Sequence, residues 1–118
     1  MMTDPRPVRL RLSRAKGFSL QALSRETNGL PAVNVARPSM FGNRWKIGVW
    51  SHTLGRNVET VEEAVALYEL LAWPEPHHVA WVQERLRGCN VACFCGIDAP
   101  CHGDWLLDLA NRPTCEAA

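Results

Sequence analysis

The order of hydrophobic and polar residues along the chain predicts four short strands. In VRLRL (8–12), apolar residues alternate with arginines, which is the pattern of a strand with one buried face. The segment 31–37 is short, β-branched and followed by a proline, and 45–50 (WKIGVW) is similarly apolar. NVACFC (90–95) is apolar almost throughout, as in a strand that is covered on both faces.

A helical period of hydrophobic residues is clearest in TVEEAVALYELLAW (60–73), which opens with a T-x-x-E capping box. A second helix is predicted over about 76–88, between a first-turn proline and a terminal glycine. A third is predicted over roughly 102–111, and 19–26 (SLQALSRE) predicts one or two helical turns. Short strands interleaved with about three helices predict a small single α/β domain with a short, largely parallel or mixed sheet.

Length and composition agree with one folded domain. The chain has 118 residues, of which 47% are hydrophobic and 21% charged, which is sufficient for a core at the usual domain size. We expect the domain to span 8–112, between a flexible N-terminus (1–7) and a C-terminal tail (113–118). No apolar run is long enough for a membrane span, and the charged start of the chain does not resemble a signal peptide. We therefore expect a cytoplasmic protein with reduced cysteines and no membrane contact.

The net charge of +1 conceals two oppositely charged halves. Residues 1–59 contain ten Lys or Arg against three acids, a net +7, whereas residues 60–118 contain three Arg against nine acids, a net −6. This asymmetry favours an anionic partner for the first half, such as a nucleotide or a nucleic acid. The alternative is that the two halves pack together and neutralise each other's surface charge.

Three of the five cysteines lie in ACFCGIDAPCHGDW (92–105). The segment is predicted to run from a strand end through a loop to the start of the last helix, and the carboxyl ends of strands in α/β domains are common ligand sites. Cys93 and Cys95 are two residues apart and would share one face of a strand. Cys101 and His102 would lie at the helix start, where free N–H groups lower the pKa of a thiol.

Three interpretations of this segment stay open. In the first, Cys93, Cys95, Cys101 and His102 bind zinc, although the usual C-x₂₋₄-C spacing is absent and the adjacent Cys101 and His102 would converge poorly. In the second, one or more of the thiols line a ligand pocket with His102 and Asp104, where either a thiolate acts as nucleophile or the group orients a bound phosphate or base. In the third, the cysteines are core residues and His102 caps the helix. Zinc is the one cofactor that these residues suggest.

Basic and aromatic residues of the first half provide a second set of candidates. Arg37 follows a predicted strand and offers a planar guanidinium to a phosphate, and Trp45 is suited to stack on a base. The alternative is an ordinary turn in which Asn43 satisfies its own backbone and the cations are solvated. The candidate anion-binding residues are Arg14, Lys16, Arg37, Asn43, Arg44 and Trp45.

Two segments, VNVARPSMFGNRW (33–45) and NVACFCGIDAPCHGDWLLDLAN (90–111), together resemble a bacterial and bacteriophage family known only as a domain of unknown function. That family has an R-P-[ST]-x-[WF]-G-N loop and a terminal C-x-C-x₅-C-H-[AG]-D motif, and its R-x-K-G-[WF] element is similar to 14–18 here. The resemblance covers about 8–112 and implies a stand-alone small α/β domain with no assigned reaction. The matching residues are Arg14, Lys16, Gly17, Arg37, Pro38, Phe41, Gly42, Asn43, Cys93, Cys95, Cys101, His102 and Asp104. Arg44 stands in place of the family's common proline, and Met40 in place of a frequently basic residue.

These observations favour a ligand site for a nucleotide or nucleic acid at the end of the 90–95 strand, where a thiolate or His102 would assist a transfer or hydrolysis. A non-catalytic, zinc-stabilised module that contacts nucleic acid or protein is the alternative. A phage accessory protein that contacts a host protein is a third hypothesis. The residues alone do not decide whether the protein is an enzyme.

Overall fold

Short parallel strands and the helices that connect them position every candidate residue. The computed structural model describes residues 6–112, so the predicted C-terminal tail (113–118) and most of the predicted N-terminus (1–7) lie outside the described residues. In chain order the elements are β1 (Arg9–Arg11), α1 (Leu20–Asn28), β2 (Ala32–Asn34), β3 (Trp50–Ser51), β4 (Arg56–Asn57), α2 (Val61–Leu71), α3 (Pro76–Leu86), β5 (Asn90–Cys93) and α4 (His102–Ala110). The α/β class is confirmed.

Strand β5 is the centre of a three-stranded sheet of order β1–β5–β2. It pairs in parallel with both neighbours, so that Val91 lies opposite Arg9 on one side and Val33 on the other. All four residues of β5 are buried, as its apolar sequence predicts. Because the three strands are parallel, their carboxyl ends meet at one edge of the sheet.

The helices follow local signals in the sequence. In α2, the Thr60 side chain accepts from the backbone N–H of Glu63 and the Glu63 carboxylate accepts from the backbone N–H of Thr60, which confirms the capping box. Pro76 begins α3, as predicted, and α4 begins at the predicted place, with Cys101 rather than His102 as its N-cap. The segment expected to make one or two turns forms a fourth helix, α1, of nine residues.

The predicted strand at 45–50 is wrong. Only Trp50 and Ser51 are extended, and they pair antiparallel with β4 in a separate two-stranded hairpin. Gly48 has a positive φ of 91°, and the N–H of Val49 donates back to the carbonyl of Lys46. The chain therefore turns inside the apolar run, which leaves the Trp50 side chain exposed.

The main core lies between the sheet and helices α3 and α4. Its fully buried members come from β5, α2, α3, α4 and the residue that follows β2: Val35, Tyr68, Val82, Leu86, Val91, Ala92, Leu106 and Ala110. A smaller cluster joins Val58 to Ala64 and Leu67 of α2. Among the described residues, no helix has the length and apolar character that a bilayer span requires.

A buried amide network fixes the amino-terminal end of β5 to α1. The Asn90 side chain is fully buried, and its Oδ1 accepts from the backbone N–H of Val8 at 2.9 Å. Its Nδ2 donates to Ser24 Oγ at 2.7 Å and to Asn28 Oδ1 at 2.8 Å, while Asn28 donates back to Asn90 Oδ1. This network aligns β1, β5 and α1 at the edge opposite the cysteines.

Replacing Asn90 with alanine should therefore destabilise the whole domain. The change leaves buried donors and acceptors without partners, which costs about 1–3 kcal/mol. Chemical denaturation of the full-length chain measures the loss. Asn57→Ala, at an exposed position of the hairpin, is the matched control and should unfold like the wild type; equal stability of the two variants would contradict this role of Asn90.

Candidate functional site

Three cysteine sulfurs converge just beyond the carboxyl end of β5. The Sγ atoms of Cys93, Cys95 and Cys101 all lie within 4.8 Å of one another, and those of Cys93 and Cys95 are 3.8 Å apart. Cys93 and Cys101 are buried and Cys95 is half-buried. Cys93 ends strand β5 and is paired in register with Arg11, Cys95 lies in the loop that follows, and Cys101 is the N-cap of α4.

The sequence places these thiols by two different means. Cys93 is the last residue of β5, and the ladder to β1 holds it opposite Arg11. Cys95 lies past the strand end, so the same-face alternation of a strand is not the reason that its sulfur meets Cys93. Cys101 is extended at the N-cap of α4, where its Sγ accepts from the N–H of Gly103 at 3.4 Å. The helix start thus turns the third sulfur toward the other two.

His102 is buried next to the cluster. Its Nε2 is 2.7 Å from the carbonyl oxygen of Val35, and because a carbonyl only accepts, Nε2 carries the proton. In the neutral ring Nδ1 is then an unprotonated acceptor, and it lies 3.8 Å from Cys101 Sγ. The ring packs on Tyr68, with centroids 4.8 Å apart. Nδ1 thus lies beside Cys101 Sγ, but His102 is not among the residues whose donor atoms all lie within 4.8 Å of one another.

Arg9 organises the loop that carries the cysteines. Its side chain is only 5% exposed, although strand alternation puts it on the face predicted to be exposed. Its Nε donates to Asp104 Oδ1 at 2.8 Å, and its terminal nitrogens donate to backbone carbonyls of the loop. Those carbonyls belong to Cys95, Gly96, Ile97 and Ala99. Asp104 thus pairs with Arg9, while its own side chain is 56% exposed.

The three thiols do not share the same acidity. A hydrogen bond from the Cys101 thiol lowers the pKa of Cys93 to about 5. The same interaction, together with burial, raises the pKa of Cys101 far above its ordinary value, and burial raises the pKa of Cys95. At neutral pH the metal-free cluster is therefore one thiolate held between two thiols, which is already part-way to a metal-binding state.

The cluster forms one wall of an open cleft of about 450 Å³. Arg14 follows β1, Arg37 follows β2 and Lys46 precedes the hairpin, and all three line this cleft with the cysteines and His102. None of the three cations takes part in an ion pair within residues 6–112. The described lining includes no carboxylate, so the cleft is cationic and suits an anion.

The predicted anion-binding residues divide into two groups. Arg14, Arg37, Asn43 and Trp45 line the cleft, whereas Lys16 and Arg44 do not. The guanidinium of Arg44 lies 4.6 Å above the Trp45 ring, beside a neighbouring shallow depression. Asp104, predicted as a pocket residue, is likewise absent from the described lining.

Asn43 has a structural task within the loop. Its Nδ2 donates to the carbonyl of Ala64 at 3.0 Å, and its Oδ1 accepts from the N–H of Trp45 at 2.9 Å. Arg37 donates to the carbonyl of Asn43 from the other side. A Cβ at Gly42 would lie 2.8 Å from the Arg37 Cα, so only glycine permits this fold of the loop. The loop is thereby fastened to α2 and presents Arg37 to the cleft.

Sequence reasoning missed Arg9 and the apolar side of the cleft. Ile47, Val61, Val65 and Pro100 contribute that side, and the clearly helical pattern of α2 gave no sign that its first turns border a site. For Arg9 the signal was weak, since an arginine in an alternating strand normally faces solvent.

Fold and site together define a small α/β domain with a three-cysteine cluster that could hold a metal ion at the carboxyl edge of its sheet. The chain belongs to the family described as "Domain of unknown function (DUF4326)", which matches residues 21–112. This confirms the expectation of an uncharacterised family. No curated protein and no solved structure matches the chain.

The acidity of the cluster can be tested on the metal-free protein. Ultraviolet absorbance of the thiolate should rise as the pH passes about 5, where Cys93 ionises. Cys93→Ser should remove this step. Cys89→Ser should keep it, because Cys89 lies outside the cluster and burial raises its pKa. A titration with no thiolate formed until the ordinary thiol range would contradict the arrangement of donors described above.

Proposed function

We propose that the protein binds one zinc ion through Cys93, Cys95 and Cys101, and that this ion lies at the wall of a cleft for a nucleotide-class anion. One observation carries the proposal: the three sulfurs and the cations Arg14 and Lys46 line the same cleft. The two predicted roles of the cysteine segment, metal site and ligand pocket, then describe one site.

The donor set suits a single zinc ion. Tetrahedral coordination with Zn–S bonds of about 2.3 Å separates two sulfurs by about 3.8 Å, and the Cys93 and Cys95 sulfurs are 3.8 Å apart. The three cysteines form the set of donor atoms within 4.8 Å of one another, and His102 is not in that set, so the proposed ion would keep its fourth position open, as catalytic zinc sites do.

The cleft suits a ligand with both an anionic and a flat apolar part. Arg37 and Lys46 would bind a phosphate, the former by paired hydrogen bonds and the latter as a point charge. Phe94 and Trp45 also line the cleft. Arg14 lies over one face of the Phe94 ring and Arg44 over one face of the Trp45 ring, so a base would stack on the opposite face of either ring. A volume of about 450 Å³ is within the usual range for small-molecule sites.

Chemistry on the bound ligand would use the chain's own acceptors. Zinc would supply Lewis acidity when bound. His102 lies at the inner wall of the cleft, and the Val35 carbonyl and packing on Tyr68 orient its ring so that Nδ1 is the nitrogen that would accept a proton. A transfer or hydrolysis assisted by His102 is the reaction class that this arrangement supports.

A second candidate is a zinc-stabilised module without catalysis. Its support is the burial of the Cys93 and Cys101 sulfurs and the place of Cys101 at the N-cap of α4, since structural zinc ions are usually closed off and contribute to folding. The melting temperature in chelator distinguishes the candidates. A collapse of the fold favours the module, whereas a stable, ligand-deficient apo-protein favours the cleft site.

Metal analysis tests the first part of the proposal. Protein purified without added metal should contain about one zinc ion per chain, and Cys93→Ser or Cys101→Ser should lose it, because each removes one of three thiolates. Cys89→Ser is the matched control, since its sulfur is outside the cluster, and it should retain full occupancy. Metal-free wild-type protein that also fails to take up added zinc would refute the zinc site.

Ligand binding tests the second part, on zinc-loaded protein. Nucleoside monophosphates should quench tryptophan fluorescence, and Arg37→Ala and Lys46→Ala should each weaken binding about tenfold, as expected for the loss of one charged hydrogen bond. Arg25→Ala removes the same charge from an exposed position of α1 outside the cleft and should bind normally. Identical affinities in all four proteins, or equal binding of the phosphate-free nucleoside, would exclude phosphate recognition by this cleft.

A further inference from the structure

The loop between Cys95 and Cys101 is built around a buried cation. Its residues 96–100 form no helix or strand, and the carbonyls of Cys95, Gly96, Ile97 and Ala99 point inward to the Arg9 guanidinium at 2.8–3.4 Å. The Arg9 Nε donates to the carboxylate of Asp104, which lies in the first turn of α4. One side chain thus contacts both the loop and the helix that follows it.

Few other bonds hold this loop. Within residues 94–100, all of them described, the backbone bond from Ala99 N to Gly96 O is the one that closes a turn. Cys93, by contrast, is held by the sheet, because its carbonyl accepts from the N–H of Leu12 at 2.9 Å. Cys93 is therefore fixed without Arg9. The distance between Cys95 and Cys101, by contrast, depends on the hydrogen bonds from Arg9 to the loop carbonyls between them.

We infer that Arg9 is the positioning residue of the metal site: it holds Cys95 and Cys101 at the separation from Cys93 that one ion requires. The inference rests on the proposed zinc site. Arg9 touches neither the ion nor the ligand in this role. It acts through the loop backbone, as the hydrogen-bonded supports of metal ligands do.

Lysine cannot replace arginine here. A guanidinium presents five N–H donors in a fixed plane. In Arg9, Nε donates to the Asp104 carboxylate, Nη1 to one loop carbonyl, and the two N–H groups of Nη2 are shared among three loop carbonyls. An ammonium group keeps the charge but has three donors at one point. Arg9→Lys therefore distinguishes the effect of the positive charge from the effect of the hydrogen bonds to the loop. The variant keeps a cation beside Asp104 but loses some of the hydrogen bonds to the loop carbonyls.

The test uses cobalt(II) as a spectroscopic substitute for zinc in the full-length chain. Arg9→Lys should lower cobalt and zinc affinity by about 10- to 100-fold, the usual effect of losing a support of a metal ligand. It should also weaken the thiolate-to-cobalt charge-transfer band at saturating metal, which a loss of stability alone would not change. Arg11→Lys, the same substitution at an exposed position of the same strand, is the control and should match the wild type.

A milder variant covers the case in which Arg9→Lys does not fold. Asp104→Asn keeps an acceptor oxygen for Nε but removes the charge that fixes the guanidinium, and it should shift affinity and spectrum in the same direction by a smaller factor. Wild-type affinity and spectrum in both variants would overturn the role of Arg9 and leave the zinc site intact. A wild type that binds no cobalt would overturn both proposals.

Discussion

Parallel pairing on both sides of β5 is the constraint from which the site follows. Since β1 and β2 run in the same direction as β5, the residues after each strand emerge at one edge of the sheet. Arg14, Arg37 and Cys95 are distant in sequence, yet the loops that carry them border a single cleft. Cations of the basic first half, Arg14, Arg37 and Lys46, line this cleft opposite the three thiols, which belong to the second half of the chain.

Two buried polar networks fix the ends of this short sheet. At the amino-terminal end, Asn90 joins β5 to the segment before β1 and to α1. At the carboxyl end, Arg9 joins β1 to the loop after β5. Strands of three and four residues bury little apolar surface of their own, so the hydrogen-bonding requirements of buried polar groups determine how the chain leaves the sheet. Buried polar contacts thus fix both ends of the sheet, whereas apolar packing holds the helices against it.

The sequence predicts a structural feature well when the residues that determine it are close together in the chain. The capping box of Thr60, the helix stop at Gly88 and the apolar run of β5 each act within a few residues, and these elements are as predicted. The convergence of the sulfurs was underestimated, because strand alternation was applied to Cys95, which lies beyond the strand end. Arg9 was out of reach for a related reason: its partners are about ninety residues away, and nothing near it in sequence distinguishes a buried arginine from an exposed one.

A metal bound by the three thiols would not be separable from the cleft. The loop that carries Cys95 and Cys101 also contributes Pro100 to the cleft, and its backbone is held from behind by Arg9. An ion bound by the three sulfurs would hold the loop on the cleft side while Arg9 holds its backbone on the opposite side, so that the two sets of contacts together restrict the loop to one conformation. Because Cys101 is also the N-cap of α4, the same ion would secure the helix on which His102 stands. Under the proposed function, occupancy of the metal site and the shape of the ligand site are therefore one equilibrium rather than two.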